Sequence, residues 1–150
     1  MATGLRQEAR LHLRRRHLRV LIVEDSVDDY ELLVHTLSRG GFDVYARQVL
    51  SKEELIQALD TGPWDVILMD WVLSQFSAPE GIRILRERGN STPCIVTSAG
   101  PGDDLAVLAI KLGANDFISK LRLDALAPSI HRELLFAESQ APTATAVGGA

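Results

Sequence analysis

The chain has 150 residues, enough for one domain with its own core; 46% are apolar and 24% charged, the balance of a globular protein that dissolves in water. No apolar run approaches the roughly 18 residues that cross a bilayer, and the N-terminus carries arginines without the apolar segment of a secretory signal. A single cysteine, Cys94, excludes a disulfide framework and a Cys-rich metal site, and favours a reducing, cytoplasmic compartment.

The net charge of −4 is unevenly spread. Residues 1–19 hold six arginines and one acid, Glu8, for +5, which leaves −9 for the rest. An Arg-rich arm can bind nucleic acid or an anionic surface. This one is short and lacks aromatic residues, so a solvated leader is the plainer reading and nucleic acid is not the expected partner. Three parts follow: a basic arm over 1–18, a globular unit over 19–137 and a flexible tail over 138–150.

Inside the unit the pattern alternates. Arg19 to Glu24 contains Val-Leu-Ile-Val, a strand buried on both faces. Val27 to Ser38 places Leu32, Leu33 and Leu37 at helical spacing, and Gly40-Gly41 stops that helix. A short strand is predicted over Asp43 to Gln48. Ser51 with Glu54 three residues on is a capping-box pattern, opening a helix to about Asp60. Gly62-Pro63 turns the chain into Val66 to Asp70, a second buried strand. Pro79 suits the first turn of a helix that ends near Gly89-Asn90. Cys94 to Ser98 is a strand, Asp103 starts a helix closed by Gly113, Asp116 to Ser119 is a strand, and a last helix covers roughly Asp124 to Glu138. Strict alternation of this kind specifies a parallel sheet with helices on both faces.

In such sheets ligands sit beyond the carboxyl ends of the strands. Those ends deliver Glu24 and Asp25 from the first strand, Asp70 from the third, Thr97 and Ser98 from the fourth and Lys120 just after the fifth. Clustered carboxylates raise one another's pKa unless a cation joins them. An oxygen-only donor set favours a hard divalent ion such as magnesium. A lysine and a hydroxyl beside it suit an anion, and an aspartate can accept a phosphoryl group by nucleophilic attack.

Four motifs in order then carry a family resemblance: Val20-Leu-Ile-Val-Glu-Asp-Ser26, Asp65-Val-Ile-Leu-Met-Asp-Trp71, Pro93-Cys-Ile-Val-Thr-Ser-Ala99 and Gly113-Ala-Asn-Asp-Phe-Ile-Ser-Lys120. Over residues 19–137 the sequence resembles the receiver domain of two-component response regulators. The resemblance implies a flavodoxin-like, doubly wound five-stranded sheet in the order 2-1-3-4-5 with five helices. It implies Asp70 as phosphoacceptor, a magnesium ion (manganese as substitute) on Glu24, Asp25, Asp70 and the backbone carbonyl of Val72, and Ser98, Phe117 and Lys120 as the phosphate-binding and switch residues. It also implies a surface of fourth helix, fifth strand and fifth helix that changes on phosphorylation. The chain departs from the family pattern at Ser74 and Leu121, where prolines are usual.

The fourth helix is apolar nearly all round, with Leu105, Leu108, Ile110 and Leu112, more than one buried face needs. A homodimer or partner surface is the expectation there. Only twelve residues follow Glu138, so the expectation is a stand-alone receiver without an output domain, or a fragment of something longer. It would take phosphate from a sensor histidine kinase or a histidine phosphotransfer protein and would not be an enzyme. Three other readings compete. An aspartyl-phosphate phosphatase would need an acid where Val72 stands. A receiver-like scaffold that is never phosphorylated does not require the acidic set. A flavin or nucleotide carrier would want a phosphate-cradling first loop in place of Glu24-Asp25-Ser26.

Overall fold

The computed structural model describes residues 15–100 and 102–140. Five parallel strands are β1 (Arg16–Val23), β2 (Phe42–Val49), β3 (Val66–Asp70), β4 (Cys94–Ser98) and β5 (Asp116–Ser119), and they lie in the order β2-β1-β3-β4-β5. Among the described residues the α-helices are α1 (Val27–Arg39), α2 (Lys52–Thr61), α3 (Ala78–Glu87), α4 (Asp103–Leu112) and α5 (Leu126–Gln140), with a 3-10 turn over Lys120–Ala125 before the last. This is the flavodoxin-like, doubly wound arrangement expected from the sequence.

Strand alternation builds two cores. Val20, Ile22, Val66, Leu68, Ile95 and Ile118 face Leu33 and Leu37 of α1 and Ile130 and Leu134 of α5. Leu21, Val23, Ile67, Met69 and Val96 face Leu55 of α2, Ile82 and Leu85 of α3 and Ala109 of α4. Every residue of β3 and β4 is buried, which is why both read as unbroken apolar runs.

Local signals fix the helix ends. Ser26, Ser51 and Ser77 each accept a hydrogen bond at their hydroxyl from the N–H three residues on, those of Asp29, Glu54 and Glu80. Glu54 Oε2 reaches back to the N–H of Leu50 at 2.8 Å. Gly113 ends α4 with φ of 117°, a conformation that disfavours any residue with a Cβ. Arg86 of α3 secures that end: its guanidinium donates to the carbonyls of Gly113, Asn90 and Thr92.

The first strand and the last helix differ most from the sequence reading. β1 begins at Arg16, three residues before the expected Arg19, and pairs Arg16 with Phe42 and Leu18 with Val44. Leu18 is buried, while Arg16 and His17 extend the strand with their side chains directed to Glu138 and Asp43. The last helix is split: Lys120–Ala125 winds as a 3-10 turn, and α5 starts at Leu126 with Pro128 in its first turn. The basic arm and the C-terminal tail fall largely on residues 1–14 and 141–150, outside the described residues.

Candidate functional site

The sheet delivers its acids to one end. Glu24 directly follows β1 and is 1% exposed. Its Oε1 accepts from the N–H of Ser26 at 3.1 Å, and its carbonyl accepts from the Gln48 amide of β2 at 2.7 Å. Asp25 comes next, and its Oδ2 accepts from the N–H of Ser74, at 2.8 Å. Asp70 closes β3, 7% exposed, with Oδ1 accepting from the N–H of Val72 at 3.1 Å. One carboxylate oxygen from each of Glu24, Asp25 and Asp70 lies within 4.8 Å of the others.

Among the described residues one cation enters this cluster. Lys120, at the C-terminal end of β5, places Nζ 2.8 Å from Glu24 Oε2, 2.9 Å from Asp70 Oδ2 and 2.7 Å from Asp29 Oδ2. Burial pulls the lysine down, but its hydrogen bonds to Asp29, Glu24 and Asp70 outweigh that and hold it above its ordinary value. Burial pushes Glu24 up to about 7, and the hydrogen bond from Lys120 offsets only part of the effect. Ser74, through its side chain and then its backbone N–H, keeps Asp25 below the usual carboxylate range. A single ammonium thus leaves anionic charge unbalanced at a shallow mouth. The donor set, carboxylate oxygen throughout, fits a hard divalent cation that would neutralise the remainder.

Of the residues singled out from the sequence, Glu24, Asp25, Asp70 and Lys120 come together. Val72 follows Asp70 in the loop, with an exposed side chain. Ser98 ends β4, buried, and its Oγ accepts from the N–H of Gly100 at 3.2 Å. Thr97, whose Cα pairs with that of Asp70, is fully buried and its hydroxyl has no partner among the described residues. Phe117 pairs with Val96 and packs on the α2–α4 core. Its ring lies against Gly102, where a Cβ would come within 2.7 Å of Phe117 Cε1, so the loop before α4 rests on this ring. Pro101 of that loop is outside the described residues. On α4, Leu108, Ile110 and Leu112 are exposed together with Val107, Leu105 is half-buried, and Ala109 is the one fully buried side chain described on this helix.

Two contacts were not foreseen. Asp29 sits three residues after the Ser26 cap, a spacing that reads as a capping box; its N–H does bond Ser26 Oγ, but its carboxylate turns to Lys120. The Ser74 N–H on Asp25 has no signal beyond the absence of proline there.

The profile of the response regulator receiver domain matches residues 20–130. The chain belongs to this family. Receiver domains act as phosphoacceptors in signalling rather than as classical enzymes. This receiver is 31% identical over 100 residues to the uncharacterized transcriptional regulatory protein YcbL of Bacillus subtilis, a match covering 67% of this chain and 43% of that protein. It is 35% identical over 123 residues to protein-glutamate methylesterase/protein-glutamine glutaminase 6 of Anaeromyxobacter dehalogenans, covering 81% of this chain and 34% of the other. The chain therefore spans less than half the length of these curated relatives. Its fold is similar to that of the Francisella response regulator 1452 receiver domain, with a TM-score of 0.70 at 21% identity over 80% of this chain and 98% of that one. No described helix of this receiver is long and apolar enough to cross a membrane.

Proposed function

We propose that this receiver accepts a phosphoryl group on Asp70 from the phosphohistidine of a sensor histidine kinase or a histidine phosphotransfer protein. The observation that carries this reading is the position of Asp70: nearly buried, 2.9 Å from Lys120, with Glu24 and Asp25 completing an oxygen donor set. A carboxylate oxygen of Asp70 attacks phosphorus. The O–P bond forms as the N–P bond breaks, and the electron pair returns to the imidazole nitrogen, which takes a proton. In a separate dephosphorylation step a water oxygen attacks phosphorus; the new O–P bond forms as the Asp70 O–P bond breaks, and the Asp70 carboxylate, inorganic phosphate and the proton released by water result.

Glu24, Asp25, Asp70 and the Val72 carbonyl would hold Mg2+, or Mn2+ in its place, and the ion when bound supplies charge neutralisation at the phosphoryl oxygens. Lys120, 2.9 Å from Asp70, contributes a positive charge through a hydrogen bond to a phosphoryl oxygen. The Ser98 hydroxyl, whose oxygen accepts from the Gly100 N–H, turns to donate its hydrogen to a phosphoryl oxygen. The loop over Gly102 follows, Phe117 takes up the space released, and the surface of α4, β5 and α5 changes. The exposed Val107, Leu108, Ile110 and Leu112 support a partner surface there, for a target protein or a second copy.

Incubation with acetyl phosphate and Mg2+, followed by intact-mass measurement, tests the reading. One phosphoryl group is gained by the natural chain and none by Asp70→Asn or in the presence of EDTA. Absence of the gain in the natural chain overturns it.

A further inference from the structure

Lys120 has three ammonium protons, and three carboxylates take them: Glu24, Asp29 and Asp70. A phosphoryl oxygen arriving beside Asp70 needs one of these protons, so one partner must let go. The three are not equally able to. Glu24 is 1% exposed and its other oxygen is held by the Ser26 N–H, so its carboxylate has no room to swing away from Lys120 into water. Asp70 is the residue modified. Asp29 has a side chain 39% exposed, stands in the first turn of α1, and can rotate into water at small cost.

We infer that Asp29 is the yielding partner of Lys120: it occupies the proton that the phosphoryl group will need and thereby sets how readily this receiver moves to its phosphorylated state. This rests on the reading of Asp70 given above. Asp29 is a positioning residue, not a catalytic one, since it acts through Lys120. Its effect has two parts with the same sign. It competes for an ammonium proton, and its negative charge repels an incoming anion. The neutral amide of Asn keeps the backbone N–H that bonds Ser26 Oγ, so α1 remains capped in Asp29→Asn.

Beryllium fluoride, a tetrahedral mimic of the phosphoryl group, supplies the probe. Its affinity at saturating Mg2+ is measured for the natural chain, Asp29→Asn and Asp29→Glu, together with hydrogen exchange of the Lys120 side-chain ammonium by 15N NMR. Asp29→Asn binds tighter by about fivefold or more, the size set by losing one close charge at a partly hydrated site, and Asp29→Glu stays near the natural chain. The ammonium of Asp29→Asn exchanges faster in the free protein and at the natural rate in the complex. Unchanged or weaker affinity in Asp29→Asn, or an exchange difference that persists in the complex, overturns the inference while leaving the Asp70 reading in place. A natural chain that binds no beryllium fluoride overturns both.

Discussion

Ser74 donates its backbone N–H to Oδ2 of Asp25 across 2.8 Å, joining the loop after β3 to the carboxylate that follows β1. Proline, the residue usual at this position in the family this chain resembles, has no N–H and cannot make the bond. Outer contacts of this kind orient a carboxylate toward a metal and commonly carry about tenfold in metal affinity. Ser74→Pro is therefore expected to weaken Mg2+ binding about tenfold by isothermal calorimetry. Ser74→Ala keeps the N–H and loses less. Equal affinities in Ser74→Pro and the natural chain would show that Asp25 needs no such support.

Lys120 is the cation shared by two buried carboxylates, Glu24 and Asp70. Lys120→Ala leaves both without it, a loss of about 3 kcal/mol of stability in metal-free urea unfolding, as for other broken buried pairs. Mg2+ held at the proposed site would neutralise the same carboxylates and stabilise the folded chain, so it is expected to narrow the gap between variant and natural protein. A gap that stays constant from zero to saturating Mg2+ would mean that lysine and metal do not serve a common charge cluster.

Cys94 lies wholly inside the sheet, and burial pushes its thiol up to about 12. The unfolded thiol ionises near its ordinary value of 9 while the folded one stays protonated, so the unfolded chain binds fewer protons between these limits. Whatever stability this thiol contributes is intact below pH 9 and declines as pH rises toward 12. The stability difference between the natural chain and Cys94→Ala should shrink across that window, measured by urea unfolding at several pH values. At pH 8.5 iodoacetamide should modify the denatured protein quickly and the native protein slowly. Rapid native alkylation would place the thiol in contact with solvent.

The core of this fold was readable because burial on both faces leaves a run such as Val-Ile-Leu-Met no polar position, and because serine caps and Gly113 mark helix ends chemically. The carboxylates were readable for a related reason: an acid that ends an apolar run falls at a strand tip. What escaped was set by partners distant in sequence. Arg16 and His17 look like part of a charged arm, yet backbone pairing with Phe42 and Asp43 draws them into β1, since edge charges can point to water while the ladder continues. Asp29 looks like a helix-capping acid, and only a lysine 91 residues away gives its carboxylate another destination. The 3-10 turn after Lys120 had no periodicity to announce it, being six residues long.

Arg86 also has a mechanical meaning. Its guanidinium clamps the tail of α4 through the Gly113 carbonyl and, by the Asn90 and Thr92 carbonyls, to the segment leading into β4, while at the head of α4 Gly102 lies against the Phe117 ring. With its C-terminal end held at Gly113, α4 is expected to move as a lever if phosphorylation displaces the Ser98 loop, the shift being largest near Asp104 and fading toward Leu112.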